Sequence, residues 1–578
     1  MGIISAFKKF FGMSEPAPLR DLDEAGQRKY HRSLAFQSFV AGTLGYSFYY
    51  VCRAALNVMK KPIIDSGLLD ADQLGTIGAV TLATYAIGKF VNGFLADYSN
   101  IKRFMATGLI ISTIACFFMG VIGMSGSKKL EDHNASKAQI EVVANLEAEA
   151  VAAEANNAEL LAVNTNADEA QVETEAPVAE EKAEVIAETA AVAEAEPVVE
   201  TETVAPVAGE KAETLAVAEA PVIAEAPVVA EEEKDPEATQ ISFLVFIAFA
   251  ILWGMSGWGQ SMGAPPAIIA LSRWFPLSRR GTFYGFFSAS HNLGEGLSFI
   301  FVGSIVALAG WQWGFFGASI AGILGILIII FMLHDTPESK GLPSIEVLTG
   351  EKVEAKKKDD SAGAAQKIAL KSPAVWILAL ASAFMYISRY SLNSWGVLYM
   401  QETKGYSLME ASTIISINAW LGIIGTVVAG WMSDVLFKGD RKMPAFVSGV
   451  LLSLSYALFI YGGDAYWVSV VSMALFGIAI GVLIAFLGGL MAVDIVPRKA
   501  TGAALGIVGM VSYAAAAIQE KVSGYLVNSN ITETVNELGE TVKHYDFSEA
   551  AIFWIGASVI SFLLPILNWG KKKVKDEE

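Results

Sequence analysis

Cysteine, histidine and charged residues are all scarce in this chain. Its 578 residues include two cysteines and five histidines, and only 17% are charged. Two cysteines exclude a disulfide framework, so Cys52 and Cys116 are interpreted as small buried residues. The sequence also lacks a Walker motif, a metal-ligand cluster and a nucleophile–base pair with a supporting third group. These absences indicate a protein that is not an enzyme, that uses no metal or cofactor, and that does not bind nucleic acid.

Apolar residues, in contrast, are abundant. The chain is 53% hydrophobic and its mean hydropathy is +0.46, which is typical of a polytopic membrane protein. About twelve segments reach the ~20 mostly apolar residues that a helix needs to cross a bilayer. They are residues 34–54, 73–95, 103–124, 243–271, 283–308, 313–333, 374–399, 409–433, 442–462, 466–494, 500–525 and 549–569. The predicted fold class is therefore an all-α membrane protein with twelve transmembrane helices.

The formal net charge of −18 comes from one segment. Residues 126–240 hold 28 acidic and 6 basic residues in phrases rich in Ala, Glu, Val and Pro. Residues 131–160 could form a polar helix, but the Pro-spaced remainder cannot bury enough apolar surface to become ordered. We interpret the segment as a solvated loop on the exterior side, with cation or partner binding as the alternative.

Basic residues fix the expected orientation. Outside the acidic segment they cluster before the first span and after alternate spans, as at Lys102–Arg103 and Arg441–Lys442. The positive-inside rule places these clusters, and both termini, in the cytoplasm. The expected location is the bacterial inner (plasma) membrane, with the protein crossing it many times as a monomer.

The two halves of the chain resemble each other. Several patterns recur at equivalent places: Tyr50-x-x-Arg53 and Tyr386-x-x-Arg389, Gly93-x-x-x-Asp97 and Gly430-x-x-x-Asp434, and Arg279–Thr282 and Arg498–Thr501. Such parallel repeats are typical of secondary transporters. The predicted organisation is a cytoplasmic segment (1–33), a six-helix bundle (34–333) interrupted by the acidic loop (126–240), a linker (334–373), a second bundle (374–569) and a tail (570–578).

Arg53 and Arg389 are the most informative residues. Each lies in an apolar, aromatic run, where a guanidinium costs about 2.5–3.5 kcal/mol on insertion scales. One arginine in each half suggests a shared anionic ligand, and guanidinium groups match phosphate oxygens well. The alternative is an internal ion pair with a carboxylate. Neither run contains Asp or Glu, which favours the phosphate interpretation.

Three further motifs point to a family. The Gly-x-x-x-Asp loops resemble the signature of the major facilitator superfamily. Gly257–Pro266, Ala289–Gly296 and Asp335–Pro343 resemble segments of its organophosphate:phosphate antiporters, which include glycerol 3-phosphate and hexose 6-phosphate transporters. The resemblance covers both halves apart from the acidic insert and the tails, and it implies two pseudo-symmetric six-helix bundles.

The resemblance also implies roles for individual residues. Arg53 and Arg389 are then the phosphate clamps, and His291 is a binding-site histidine unless it is only a satisfied core residue. Lys89 raises the positive potential of the pathway or extends to the interface. Further ligand contacts are expected from Tyr46, Tyr50, Tyr386 and Lys521, with packing or a solvated position at the exterior mouth as alternatives. A conformational latch is expected from Asp97, Arg103, Asp434 and Arg441, with simple interfacial anchoring as its alternative.

Ala54 and Glu295 depart from the family pattern. At position 54 the glycerol-phosphate transporters carry a second cation, and at position 295 the relatives usually carry a small residue.

The resulting prediction is a secondary active transporter that exchanges a phosphorylated metabolite for inorganic phosphate by alternating access. A membrane-bound sugar-phosphate sensor on the same fold is the alternative. A proton-driven drug exporter is the third interpretation, and it would tolerate Arg53→Lys.

Overall fold

The computed structural model describes residues 9–165, 235–349, 362–437, 440–496, 500–535 and 541–568. Eight helices form the N-terminal half. They are α1 (Glu24–Asp65), α2 (Ala71–Asp97), α3 (Ile101–Thr165), α4 (Pro236–Gln260), α5 (Ala264–Trp274), α6 (Leu277–Ser288), α7 (Ser290–Ala309) and α8 (Trp311–Met332). Because α4 with α5 and α6 with α7 each cover one predicted span, this half holds six spans.

Six longer helices form the C-terminal half. They are α9 (Pro373–Lys404), α10 (Leu408–Trp431), α11 (Lys442–Tyr461), α12 (Tyr466–Ala485), α13 (Thr501–Ser529) and α14 (Ser548–Leu563). Short helices cover Ile345–Thr349, Ala362–Lys371 and Met491–Asp494. An antiparallel hairpin of β1 (Ile531–Val535) and β2 (Thr541–Tyr545) links α13 to α14. The hydrophobic pattern did not predict this hairpin, because its strands are short and polar.

Eleven helical segments of the described chain are long and apolar enough to cross a membrane. The remaining predicted span, 34–54, lies within α1, whose 42 residues extend over roughly 60 Å. Its hydropathy is lower because it carries Arg53, Lys60 and several tyrosines and serines. The expected all-α membrane architecture is confirmed. Cys52 and Cys116 are buried and free, as expected.

The contact between the halves repeats the internal symmetry of the sequence. The second span of the N-terminal half, α2, packs against the fifth span of the other half, α13. The fifth span of the N-terminal half, α7, packs in the same way against α10. Both second spans begin with a capping box, Asp70 with Gln73 and Ser407 with Glu410, which satisfies backbone N–H groups at the helix start. The halves therefore meet through two equivalent helix pairs.

Helices α2 and α13 meet closely at one end only. A Cβ added at Gly75 would lie 2.9 Å from the Cα of Gly524, so the two backbones touch there. Gly93 lies 18 residues after Gly75, and Gly506 lies 18 residues before Gly524. Eighteen residues are five helical turns, so each glycine lies on the same face of its helix as its counterpart. At both of these glycines an added Cβ meets no described atom within 4 Å. The two helices thus separate from the Gly75 end toward the Gly93 end.

Three ion pairs join the halves at the Gly75 end. Lys60 of α1 lies 3.1 Å from Glu520 of α13, and Lys521 of α13 lies 2.6 Å from Asp72 of α2. Lys61 of α1 pairs with Glu402 of α9. At the opposite end, Arg273 pairs with Asp335 inside the N-terminal half, and Arg441 pairs with Asp494 inside the C-terminal half.

Asp335 fastens the chain at this opposite end. Its carboxylate accepts hydrogen bonds from the backbone N–H of Ser14 and of Ile101 at 2.7 and 3.1 Å, and it pairs with Arg273 at 2.5 Å. Residues 12–20 thereby lie along the start of α3 and along the segment after α8. Gly341 has a φ of +71°, and a Cβ there would lie 2.5 Å from the carbonyl oxygen of Pro18.

Residues 133–235 form a unit of their own. Residues 131–160, for which the sequence allowed a polar helix, are part of α3. The predicted acidic loop therefore begins inside a helix rather than at residue 126, since Ala and Glu are both good helix formers. Most of its Pro-spaced remainder lies outside the described residues, as do residues 350–361 of the predicted linker and the whole tail.

Gly294 allows α7 to lie directly on α1. A Cβ at this position would lie 2.1 Å from the carbonyl oxygen of Ser47 and 2.6 Å from the Cβ of Tyr50. We expect Gly294→Ala to lower the melting temperature of the purified protein, because the clash involves backbone that cannot move aside. Gly506→Ala is the matched control, and it should be neutral or slightly stabilising because its methyl group meets open space. Equal melting temperatures for the two variants would contradict the close helix contact.

Candidate anion-binding site between the two halves

Arg53 lies on α1 and faces the α2 and α4 helices of its own half. Its Nε donates a hydrogen bond of 2.6 Å to the Oε1 of Gln260. Its guanidinium lies over the rings of Tyr50 and Tyr85, at 4.6 and 4.0 Å from their centroids. One terminal nitrogen, NH1, is buried and has no hydrogen-bond partner among the described residues. Arg53 is therefore oriented by its neighbours and keeps a donor for a ligand.

Gln260 is itself held in place by α4. It is fully buried, and its amide donates to the Ser256 hydroxyl at 2.9 Å. This amide lies inside the Gly257–Pro266 motif, where α4 ends and a turn leads into α5. Gly259 lets the turn approach α3, since a Cβ there would lie 2.7 Å from the carbonyl oxygen of Gly108. The motif thus presents one acceptor to Arg53.

Arg389 lies on α9 and is 4% exposed. Its NH2 donates a hydrogen bond of 3.1 Å to the Oε2 of Glu295, which belongs to α7 of the other half. The second oxygen of Glu295 accepts a hydrogen bond of 2.8 Å from the amide of Asn393. Because no acidic residue lies near Arg389 in the sequence, phosphate was the favoured partner of its guanidinium group. The structure corrects that step, because the carboxylate comes from a distant helix.

A group of tyrosines joins the two arginines. Tyr85, which lies under Arg53, is 4.7 Å from Tyr513 of α13 between ring centroids. Tyr513 in turn lies 5.2 Å from Tyr386 and 6.2 Å from Tyr390, the residue next to Arg389. The phenol groups of both halves therefore line one continuous wall between the guanidinium groups. Tyrosines can pack against an organic ligand and donate hydrogen bonds to its oxygens.

His291 and Tyr46 extend this wall along α1 and α7. The His291 ring lies 5.7 Å from the ring of Tyr50, and Tyr46 lies 5.4 Å from Tyr50. Both guanidinium groups act electrostatically on the imidazole. The Nε2 of His291 is buried and has no hydrogen-bond partner among the described residues. It is a second polar atom at this site that is ready for a ligand.

Lys89 lies one turn after Tyr85 on α2. Its ammonium group is 4.9 Å from the centroid of the Tyr513 ring, and it approaches Gly509 of α13. The side chain is exposed, so it faces the open space between the separating ends of α2 and α13. Two positions were expected for Lys89, the pathway between the halves and the lipid interface. These contacts favour the pathway.

Lys521 is not brought to this group. It contacts Asp72 at 2.6 Å and Thr76 at 3.0 Å, both on α2, and it is exposed. This position matches the exterior-mouth alternative rather than contact with the ligand of the arginines. Glu520, its neighbour, points elsewhere and meets Lys60 together with the indole N–H of Trp395 at 3.1 Å.

Asp97 and Arg103, two of the residues expected to form a latch, do not contact each other in this structure. Arg103 donates to the backbone oxygen of Phe10 at 2.9 Å, and Asp97 receives a contact of 3.4 Å from Arg273 through its backbone oxygen. Arg441 pairs with Asp494. The side chain of Asp434 lies outside the described part of the structure. A latch between these groups remains a prediction for another conformation.

Several residues at the site were not expected from the sequence. Tyr85 could have been found, because it lies four residues before Lys89 and therefore on the same helix face. Gln260 could also have been found within its motif. Tyr390, Asn393 and Tyr513 gave no local signal, because their role depends on how the two halves pack.

The chain is similar to several proteins of known name. The model of the Major Facilitator Superfamily matches residues 238–519. A protein named "Membrane sensor protein UhpC" of Salmonella typhimurium is 31% identical, over 82% of this chain and 81% of its own length. A "Probable hexose phosphate transport protein" of Chlamydia muridarum is 26% identical over 94% and 92% of the two chains. A "Glycerol-3-phosphate transporter" of Bacillus subtilis is 29% identical over 57% and 72%.

Solved structures show the same fold. A bacterial homologue of the human lysosomal transporter Spinster aligns with a TM-score of 0.55 and 13% identity, covering 92% of this chain and 95% of that one. A D-xylose–proton symporter aligns with a TM-score of 0.52. By class the chain is thus a multi-pass membrane protein of a transporter family, and not an enzyme. It belongs to the major facilitator superfamily and, within it, to the organophosphate:phosphate antiporter family that its motifs predicted.

The ion pair between Glu295 and Arg389 generates a stability prediction. Losing one member of a buried pair costs about 3–5 kcal/mol, because the other charge is left uncompensated. We expect Arg389→Gln to lower the melting temperature of the ligand-free protein, and Glu295→Gln in addition to restore part of the loss. The exposed pair of Lys521 and Asp72 is the matched control, with an expected effect of about 0–1 kcal/mol. Additive effects of Arg389→Gln and Glu295→Gln would contradict a direct interaction.

Proposed function

We propose that this protein is a secondary active transporter that exchanges a phosphorylated metabolite, a sugar phosphate or glycerol 3-phosphate, for inorganic phosphate. One observation carries the proposal: each half contributes an arginine to a single tyrosine-lined site between the halves. A phosphomonoester has close to two negative charges at neutral pH. It can therefore interact with both guanidinium groups at once.

The unpartnered atoms of the site support a tetrahedral anion. The NH1 of Arg53 and the Nε2 of His291 are buried donors or acceptors without a protein partner among the described residues. A phosphate group can accept from Arg53, from His291 and from the neighbouring phenols, which removes the cost of leaving buried polar atoms unsatisfied. Lys89 adds positive charge along the route from the open end. Inorganic phosphate fits the same donors, which is the reason to propose exchange.

The organic part of the substrate would lie against aromatic side chains. Tyr386, Tyr390 and Tyr513 stand together on the side of the C-terminal half. Rings of this kind stack against the carbon skeleton of a sugar while their hydroxyl groups contact its oxygens. The relatives named as hexose phosphate and glycerol-3-phosphate transporters support this substrate class.

Alternating access follows from the difference between the two ends. With the orientation that the positive-inside rule predicts, the Gly75 end faces the exterior and the Gly93 end faces the cytoplasm. We therefore interpret this conformation as inward-facing, in the inner (plasma) membrane, with both termini in the cytoplasm. Opening to the exterior then requires the three ion pairs at the Gly75 end to separate. The halves would rotate about the arginine site, as in other transporters built from repeats.

A sugar-phosphate sensor is the second candidate function. It is favoured by the 31% identity to a protein named as a membrane sensor. The same site would serve such a sensor, because both functions need a phosphate ester to be bound. The two candidates differ in whether bound ligand is released on the other side of the membrane.

The first functional test is exchange by the purified protein in liposomes loaded with phosphate. We expect external glucose 6-phosphate or glycerol 3-phosphate to release internal labelled phosphate. Arg53→Lys should lower the rate roughly 10- to 100-fold, because a hydrogen bond to a charged group contributes about 1.5–3 kcal/mol. Arg28→Lys, at an exposed position of the same helix, is the control and should exchange normally.

The outcomes of this assay separate the candidates. Specific binding of a phosphate ester without any exchange would replace the transporter by the sensor. Transport that ignores phosphate and tolerates Arg53→Lys would favour a drug exporter instead. A competition panel of phosphorylated metabolites then ranks the substrates.

The second functional test concerns closure at the Gly75 end. In a background with Cys52 and Cys116 replaced by alanine, we expect a short thiol cross-linker between Asp72→Cys and Lys521→Cys to stop exchange. Adding a reductant that cleaves the linker should restore it. A cross-link between Glu24→Cys and Arg28→Cys, which lie one turn apart at an exposed part of α1, is the control and should leave exchange intact. Undiminished exchange with Asp72→Cys linked to Lys521→Cys would refute movement at this end.

A further inference from the structure

Glu295 forms an ion pair with Arg389, the arginine to which the proposed substrate would bind. One carboxylate oxygen contacts Arg389 at 3.1 Å and the other accepts from Asn393 at 2.8 Å, so both oxygens are used. The carboxylate and the guanidinium are both nearly inaccessible to water, at 8% and 5% side-chain exposure. Glu295 comes from α7 and Arg389 from α9, so this ion pair also joins the two halves. A carboxylate of the protein therefore stands where a phosphate oxygen would bind.

The pair cannot persist unchanged when a phosphate group binds. A phosphate at Arg389 takes hydrogen bonds that Glu295 now receives, and it brings its own negative charge. Glu295 would then be a buried anion without its cation and close to a second anion. Both effects disfavour the charged form of a carboxyl group. A neutral carboxylic acid avoids them, and it can still accept from the amide of Asn393.

If Arg389 is taken by a phosphate, the helices around Glu295 supply no second cation to replace it. Helix α8, which packs on α7, contains no titratable residue, and α10 contributes only Glu410, which is exposed in the first turn of that helix. Helices α1 and α9 carry further charged groups toward their ends, among them Lys60, Lys61 and Glu402 at the Gly75 end. The charged or titratable groups that these two helices bring to the arginine site are Tyr46, Tyr50, Arg53, Tyr386, Arg389 and Tyr390. Helix α7 adds His291, and α6 carries Arg279, Arg280 and Tyr284. Among them, Arg53 is held by Gln260 and by two rings of its own half.

We propose that Glu295 is a resident counter-anion of Arg389 that leaves it as a neutral carboxylic acid when a phosphate group binds, so that each binding event takes up one proton. This inference rests on the proposed function. The proton comes from water at the open end and adds to a carboxylate oxygen of Glu295. It returns to water when the phosphate leaves and Glu295 contacts Arg389 again.

A measurement of one-for-one exchange would not detect this proton. If every loaded carrier holds one proton with its ligand, the protons carried in the two directions cancel. The proton becomes visible in binding, where nothing is exchanged. It would also accompany any net entry of substrate without a counter-substrate. Binding to the purified protein is therefore the measurement that isolates it.

The experiment measures proton uptake and affinity on the same samples. Purified protein in weakly buffered detergent at pH 8 receives inorganic phosphate, and a pH-indicator dye reports the protons taken up. We expect the wild-type protein to take up about one proton more per bound phosphate than Glu295→Gln does. Inorganic phosphate that binds as its monoanion also takes up a proton, but this part would be the same in both proteins. Glu520→Gln removes a different buried carboxylate and should keep the wild-type value.

Affinity supplies the second readout. Glu295→Gln should bind inorganic phosphate more tightly at pH 8, roughly tenfold, because no carboxylate has to be displaced or protonated. Wild-type affinity should weaken with rising pH above 7.5, where inorganic phosphate itself is mostly dianionic. The affinity of Glu295→Gln should stay nearly constant over that range.

The outcomes distinguish this inference from the proposed function. A wild-type protein that binds neither inorganic phosphate nor a phosphate ester overturns the proposed function. A wild-type protein that binds phosphate, with equal proton uptake and equal affinity in Glu295→Gln, overturns the role of Glu295 alone. If Glu295→Gln does not purify as a folded protein, an infrared difference spectrum of the wild type decides. A new carboxylic-acid band on phosphate binding supports the inference, and its absence overturns it.

Discussion

The rest of this structure depends on the cost of keeping a guanidinium group away from water. Arg53 and Arg389 lie in stretches of their helices, residues 45–56 and 383–390, that otherwise carry apolar, aromatic and small residues. Each is therefore surrounded by groups that lower this cost, but the two solutions differ. Arg53 receives an amide oxygen and two aromatic faces, which are neutral partners. Arg389 receives a full negative charge from Glu295. Each half thus contributes one arginine, but only Arg389 has a negatively charged partner.

Under the proposed function, this asymmetry gives the two arginines different tasks. A guanidinium with neutral partners keeps its charge available, so Arg53 attracts an anion that enters from the open end. A guanidinium that already holds a carboxylate accepts a new anion only by exchanging partners. Because that carboxylate belongs to the other half, the exchange also replaces a contact between the halves. Ligand binding is in this way coupled to the interface on which movement depends, without any separate device.

Much of the fold follows from the sequence, because hydrophobic length and basic clusters are local properties. The span boundaries lie within a few residues of the helices for most elements, as in residues 73–95 and Ala71–Asp97. The arginine pair was also predictable, since a charge inside an apolar run needs no neighbour to be noticed. The partner of Arg389 was not predictable, because Glu295 is 94 residues away and meets it only through the packing of two bundles. Lys521 shows the same limit, since neighbouring Glu520 and Lys521 turn to different helices.

The Gly75 end explains how a firm closure can still be reversible. Lys60 is 1% exposed and contacts Glu520, the hydroxyl of Ser394 and the ring face of Trp395, so its charge is fully compensated. The pair of Lys521 and Asp72 is partly exposed, so it contributes little to the closed state. On opening, water can hydrate both members of the Lys60 pair, which offsets the lost contact. The net free energy of closure is therefore much smaller than the individual contacts suggest. Under the proposed function, replacing one ion pair at the central site by a substrate phosphate would then shift the balance between the two conformations.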